Sequence, residues 1–238
     1  MIEKNEVIAV KGDSPLIDKN IYLINEDSIV ELKGYFRSAG KVKSKLYFGL
    51  NCFKENREEI KSVDIYRQKE SLLITSIKSE GKNIFLEQKP ETWNNGTDEY
   101  SEKYLKYLGF YFDGDVNKFA DYIINYKNFE NNIIHFNNEI PKNILDQIKP
   151  GQTRVMNHYQ NSTYDYSASN GDIVPEQWTE YKAEYKGFSG LFGDIRYKLR
   201  FNTKFISPII LCNHYQKQDS ILEIKNVEIN IKIIPKCL

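Results

Sequence analysis

The chain has 238 residues and carries 33 Lys and Arg against 33 Asp and Glu, so its formal net charge is zero. That balance argues against a nucleic-acid binder, whose electrostatic footprint is a basic excess, and against an acidic disordered chain. Aromatic residues make up 13%, with 17 Tyr and 13 Phe, and Tyr, Phe and Ile enrichment favours strands.

The opening stretch, Met1-Ile2-Glu3-Lys4-Asn5-Glu6, lacks the apolar centre of a signal peptide. No apolar run approaches the roughly 18–20 residues of a membrane-spanning helix. These features point to a cytoplasmic protein, a virion component exported without a signal, or a fragment of a surface protein. Cys52, Cys212 and Cys237 are odd in number and widely spaced, which suits neither a disulfide framework nor a zinc signature. They read as reduced, buried thiols.

In chain order, residues 29–36 alternate apolar and polar side chains and read as a strand. Residues 45–53 do the same and run into a polar turn at 54–59. Residues 72–77 and 83–86 form a strand pair around Ser79-Glu80-Gly81. Residues 90–102 are polar and rich in Asn, Thr, Glu and Tyr, and read as a long loop. An aromatic run follows at 104–112, then a short strand at 132–136. Residues 141–149 are the one helical piece: Pro141 sits at the first turn, Ile144, Leu145 and Ile148 share a side, and Pro150-Gly151 ends it. Residues 154–158 are a strand, 160–175 a second long polar loop, and 179–188, 197–201 and 207–215 further strands. In the closing segment, 220–234, the apolar set changes face near Lys225-Asn226, which predicts a bulge or two successive strands. About ten short strands separated by turn residues indicate a sandwich or barrel. No repeat, linker or compositional break appears, so the expected organisation is one domain over 1–238, with Pro90 and Pro150 as the places where a division would fall.

Several pieces are similar to one family. They are residues 30–38 (Val-Glu-Leu-Lys-Gly-Tyr-Phe-Arg-Ser), residues 47–53 (Tyr-Phe-Gly-Leu-Asn-Cys-Phe) with Glu58-Glu59-Ile60, Gln177-Trp178-Thr179-Glu180-Tyr181, residues 200–205 (Arg-Phe-Asn-Thr-Lys-Phe) and residues 224–229 (Ile-Lys-Asn-Val-Glu-Ile). Together they resemble jelly-roll carbohydrate-binding modules that accompany phage tail and bacterial surface-polysaccharide proteins. The resemblance implies an all-β fold, an antiparallel jelly-roll β-sandwich with long inserted loops and one short helix, and a carbohydrate partner. It also implies a core position for Trp178. Many such modules hold a structural calcium with an Asp of the closing strand. Lys225 stands there in this chain, and an ammonium beside Ca²⁺ costs Coulomb energy.

Sugar recognition requires flat aromatic faces flanked by convergent polar groups. Trp93, beside Asn94 and Asn95, offers one such set. Asn157, His158 and Tyr159, leading through Gln160 and Asn161 into Tyr164, Asp165 and Tyr166, offer a second. Both fall on predicted loops, where binding residues concentrate, and the Tyr164-x-Tyr166 spacing puts both rings on one face of an extended chain. The competing reading is that these rings cap sandwich edges and hydrogen-bond with their polar tips. Asp113, Asp115 and Asn117 open like a calcium loop, with Asp121 at the ninth position. Lys118 takes the usual glycine position and Ile124 the closing Glu position, so an acidic surface turn is the other reading. Calcium is the one cofactor suggested.

His135, His158 and His214 lack zinc-motif spacing, although His158 and His214 sit in matching Asn-His-Tyr triplets that could lie on neighbouring strands. Gly187-Phe188-Ser189-Gly190 is not a nucleophile elbow, and no phosphate or dinucleotide glycine motif is present. A glycosidase would need two facing carboxylates, and Asp165 and Asp172 in the second long loop, with Glu176 directly after it, are the acids so placed. Asn95-Gly96-Thr97 and Asn161-Ser162-Thr163 match the glycosylation pattern and mark surface loops. The sequence thus points first to a glycan-binding module. The alternatives are an assembly module, as a homo-oligomer or within a larger complex with aromatic interface anchors, and a glycoside-active enzyme.

Overall fold

The computed structural model describes residues 6–78, 81–95, 98–160, 164–190, 196–216 and 219–234. Strand accounts for 51% of the chain and helix for 6%, so the protein is all-β. The chain folds as two compact units. The first comprises Met1–Ile60 and Tyr164–Leu238, and the second, Lys61–Thr163, interrupts it in sequence. Ser79, Glu80, Gly96, Thr97, the sequon Asn161-Ser162-Thr163 and Cys237 lie outside the described residues.

The first half of the first unit supplies β1 (Ile8–Lys11), β2 (Ser14–Ile17), β3 (Tyr22–Leu23), β4 (Ser28–Ser38) and β5 (Lys45–Phe53). The second unit follows with α1 (Ser62–Ile65), β6 (Arg67–Lys78), β7 (Asn83–Leu86), α2 (Glu99–Tyr104), β8 (Tyr107–Tyr111), β9 (Tyr122–Asn125), β10 (Asn128–Glu130), β11 (Ile133–His135), α3 (Lys142–Leu145) and β12 (Arg154–His158). The chain then returns to the first unit with β13 (Asp165–Ile173), β14 (Thr179–Lys186), β15 (Phe205–Cys212) and β16 (Ile221–Ile233).

In the first unit, one antiparallel sheet runs β1-β16-β4-β14 and another β13-β5-β15-β2, with β3 also paired to β15. Strand alternation decides what lies between them. On β4, Val30, Leu32 and Phe36 are buried; on β5, Leu46, Phe48, Leu50 and Cys52 are. The rings of Phe36 and Phe48 meet at 5.0 Å. The face change near Lys225-Asn226 is a bulge: the register of β16 on β4 shifts between Lys225 and Glu228, and Asn226 has φ +51. The extra residue lets both Ile224 and Val227 point inward.

The outer face of the four-stranded sheet is a lattice of cross-strand pairs: Lys33–Glu228 at 3.1 Å, Arg37–Glu223 at 2.5 Å and Lys232–Glu31 at 2.7 Å. Trp178 lies on this side, not in the core. Arg37 and Lys225 stand over its ring at 4.9 and 4.2 Å, so the indole is half-buried by two cations.

In the second unit one sheet runs β10-β11-β7-β6-β12-β8-β9. It packs Leu72, Ile74, Leu108, Phe110 and Val155 into a core that Trp93 and Ile144 complete. Three expectations are corrected. The described residues contain three short helices, not one, and α2 begins within the expected loop 90–102 and runs on to Tyr104. The polar stretch 160–175 contains the nine-residue β13. Residues 197–201 are turns, joined to the preceding segment by an isolated Phe188–Leu199 bridge.

Candidate functional site

β13, β5 and β15 lie side by side, with Asn170 and Leu211 flanking Tyr47 on its two sides. The alternation that buries Leu46 and Phe48 turns Tyr47 to the opposite face. Tyr166, the second residue of β13, lies 5.1 Å from Tyr47 ring to ring, and Tyr164 lies 5.8 Å from Tyr166. On the other side His214, two residues beyond β15, is 5.4 Å from Tyr47, and Tyr215 is 3.9 Å from His214. Five rings thus form an unbroken row, Tyr164–Tyr166–Tyr47–His214–Tyr215. Tyr215, at its end, is 86% exposed, and the other four are half-buried.

Several close approaches fix this ledge. Gly171 has φ +87, and a Cβ there would lie 2.9 Å from the Tyr47 hydroxyl and 3.0 Å from Lys45 Cε. A Cβ on Gly49 would lie 1.6 Å from the Asp165 carbonyl, so only glycine lets the start of β13 lie across β5. The register shifts between Asp165 and Ser169, which re-aims the neighbouring side chains. At the other end Asp13 accepts the Tyr215 backbone N–H at 3.0 Å and stands 3.5 Å from His214 Nδ1. Tyr215 itself is held at φ +61, a conformation rare for a bulky residue. Asn213 anchors that turn by donating to the carbonyls of Val10 and Gly12 at 3.2 and 2.9 Å.

Polar groups surround the rings. Lys45 stands 5.2 Å from the Tyr47 ring centre. The buried Asp165 accepts from the Ser167 N–H at 3.0 Å and from the Ser167 hydroxyl, and Asp172 accepts from Ser169 at 2.7 Å. These carboxylates hold the bulged strand. Burial raises the Tyr164 phenol above its ordinary pKa; Glu59 adds to this and Arg200 opposes it. Burial also raises Tyr166, with Tyr164 and Tyr47 contributing. Both phenols are therefore neutral near pH 7 and can donate as well as accept hydrogen bonds. Cys52 and Cys212 are buried; burial raises both thiols, Cys212 to about 12, so neither is a ready nucleophile.

The remaining expected site residues belong to the second unit and serve its interior. Trp93 is 6% exposed, packs in the core and donates Nε1–H to the Glu70 carbonyl at 3.2 Å, which leaves no ring face for a sugar. Asn157 is buried: its oxygen accepts from Asn94 N–H and Nδ2 at 3.0 Å each, and its amide donates to the carbonyls of Leu105, Tyr107 and His158. His158 is also buried and lies between Tyr111 and Val63. Tyr159 is half-buried, 5.6 Å from the Tyr66 ring. The two Asn-His-Tyr triplets do not lie on paired strands: β12 pairs with β6 and β8, and β15 with β5, β2 and β3. Asn95 uses its amide on both the N–H and the carbonyl of Phe129.

At the acidic turn, Asp113 accepts from Asp115 N–H and Asp115 from Asn117 N–H. The Lys118 ammonium lies 2.9 Å from both Asp113 and Asp121, occupying the space a cation between them would take. Among the described residues no group of three or more His, Cys, Asp and Glu comes together that could hold a metal ion.

Tyr164, Asp165 and Tyr166 are among the residues singled out from the sequence for sugar recognition, whereas Tyr47, His214 and Tyr215, which the structure brings into one row with Tyr164 and Tyr166, are not. The available signal was that Tyr47 has the opposite strand parity to the apolar Leu46 and Phe48. Compared with known proteins, the chain matches no family model, no curated protein and no solved structure.

Proposed function

We propose that the first unit is a carbohydrate-binding module of jelly-roll type and that the tyrosine ledge is its recognition surface. The observation that carries this reading is the unbroken row of five rings crossing the edge strand β13, the strand β5 and the turn after β15. Neighbouring rings are tilted or edge-on to one another, so the row presents faces for the apolar side of a pyranose and edges and hydroxyls for its polar rim. Lys45 and Asp13 flank the row at either side of His214 and Tyr47 and supply charged partners for sugar hydroxyls. The ledge is held by glycines and buried amides, so little ordering is left to binding, which favours affinity.

Tyrosine-selective NMR tests the location. Titrating a bound glycan is expected to move the ring signals of Tyr47, Tyr164, Tyr166 and Tyr215 and to leave those of the buried Tyr126 and Tyr185 in place. Shifts confined to other tyrosines would move the site elsewhere.

A second reading, an assembly module of a tail or surface complex, is favoured by a separate observation. The flank of the first unit along β16 leaves apolar side chains uncovered.

A further inference from the structure

β16 pairs with β4 along its length, but on its other edge β1 covers only Ile221–Ile224. Among the described residues no strand pairs with that edge from Val227 to Ile233. The inward side chains beyond the bulge are all apolar, and burial fails along the row. Val227 is buried, Ile229 and Ile231 are half-buried, and Ile233 is 64% exposed. Two recesses lie along this flank. One, of about 470 Å³, is lined by Leu16, Ile17, Pro208 and Ile229; the other, of about 370 Å³, by Leu23, Phe205, Ile231 and Ile233. An open edge beside uncovered core residues is a template for another strand.

The outward side chains of this stretch are Glu228, Asn230 and Lys232, and their order is self-complementary. Antiparallel pairing of two copies about a two-fold axis at Asn230 places Glu228 of each opposite Lys232 of the other. On the inner face it sets Ile229 opposite Ile231 and Val227 opposite Ile233. Moving the axis to Ile229 or Ile231 loses both ion pairs, and moving it to Glu228 or Lys232 sets like charges face to face. Opposite charges across an antiparallel pair stabilise it and like charges destabilise it. Glu228 and Lys232 already pair with Lys33 and Glu31 on β4, so the new contacts would extend an existing lattice. We infer that the Val227–Ile233 edge of β16 is a homodimer interface, in which a second copy of this chain continues the four-stranded sheet across a two-fold axis at Asn230. Such isologous contacts are the commonest way for identical chains to associate. This inference is independent of the glycan reading.

The test is the mass of the intact chain by light scattering and sedimentation over a wide range of concentration. The expected result is a dimer of twice the 28.0 kDa chain. Glu228→Lys is expected to raise its dissociation constant about tenfold or more, and the exchange Glu228→Lys with Lys232→Glu to restore it when Lys33→Glu and Glu31→Lys are made with it, because the pairs between copies and the pairs with β4 are then complementary again. Hydrogen exchange of the unaltered chain gives a reading that does not depend on how the variants fold: protection at 226–233 is expected to rise with concentration. A monomer at every concentration would overturn the inference. So would a dimer indifferent to Glu228→Lys, or a monomer that dimerises only once residues 1–5 are deleted, which would identify the chain's own first residues as the occupant of the edge.

Discussion

The hydroxyl of Tyr111 donates to Nε2 of His158 at 2.9 Å in the interior of the second unit. The imidazole passes the chain on by donating Nδ1–H to the Val63 carbonyl at 2.6 Å, and the Arg67 guanidinium donates to the same phenol oxygen. Arg67 also reaches the carbonyls of Val116 and Lys118, so this cluster ties α1, β8 and the acidic turn to β12. It requires a neutral imidazole. Burial is the main cause that lowers the His158 pKa; the Val63 contact opposes it and the Arg67 charge adds to it, and together they bring it to about 4.

The pH dependence follows. Between about pH 6.5 and 4 the unfolded chain binds a proton at His158 that the folded chain refuses, so stability rises with pH in that window and falls as pH drops through it. The ceiling is about 3 kcal/mol, lost in full near pH 4. Urea unfolding read by Trp93 fluorescence in a Trp178→Phe background is expected to show this decline, and His158→Gln, though less stable overall, to flatten it. A flat profile for the unaltered histidine would contradict the assignment.

Gly109 provides the space for that imidazole. A Cβ at Gly109 would stand 2.4 Å from His158 Nε2, and the ring cannot retreat without leaving Tyr111 and Val63. Gly109→Ala is expected to cost about 1–3 kcal/mol of the second unit's stability, read as a lower urea midpoint. An unchanged midpoint would show that the ring has another place to go.

Gly171 does the corresponding work at the ledge. Gly171→Ala imposes a side chain on a left-handed backbone and presses on Tyr47, and is expected to cost the first unit about 1–2 kcal/mol and to move the Tyr47 ring resonance. A stable variant with an unmoved Tyr47 signal would mean that the approach is looser than the geometry indicates.

At the acidic turn the Lys118 ammonium already neutralises Asp113 and Asp121; its hydrogen bond is the main reason the Asp113 carboxyl sits below its ordinary pKa. Adding Ca²⁺ is therefore expected to leave the thermal midpoint unchanged, since only a ligand that binds the folded state raises it. A rise with Ca²⁺ that Mg²⁺ does not reproduce would place a calcium site on this chain.

How far these features were legible depended on where the deciding contacts lie. β5 was readable to the residue because its alternation is complete over residues 45–53, and the phase change in β16 is local to two residues. β13 was not readable: Ser167, Asn170, Gly171 and Asp172 are turn formers by propensity, and pairing with β5 overrides that preference. Trp178 shares its pattern with core residues, and nothing local announces that Arg37 and Lys225, from distant strands, enclose it. Trp93 with Asn157 and Tyr166 with Asp165 look alike as aromatic–polar sets. Burial alone separates the interior pin from the surface ledge. The second unit was invisible because its strands alternate as those of the first do, with no change of composition at residues 60 or 164. The ledge joins residues from three segments, and only the order β13-β5-β15 brings them together.

The most direct measurement is glycan-array binding by the intact chain beside a Tyr166→Ala/Tyr215→Ala variant, with circular dichroism establishing that both are folded. The expected result is a defined set of glycans bound by the intact chain and weakened about tenfold or more in the variant, as the loss of central aromatic anchors entails. The same glycans bound equally by both proteins, or none bound by either, would contradict the ledge as a carbohydrate-recognition surface.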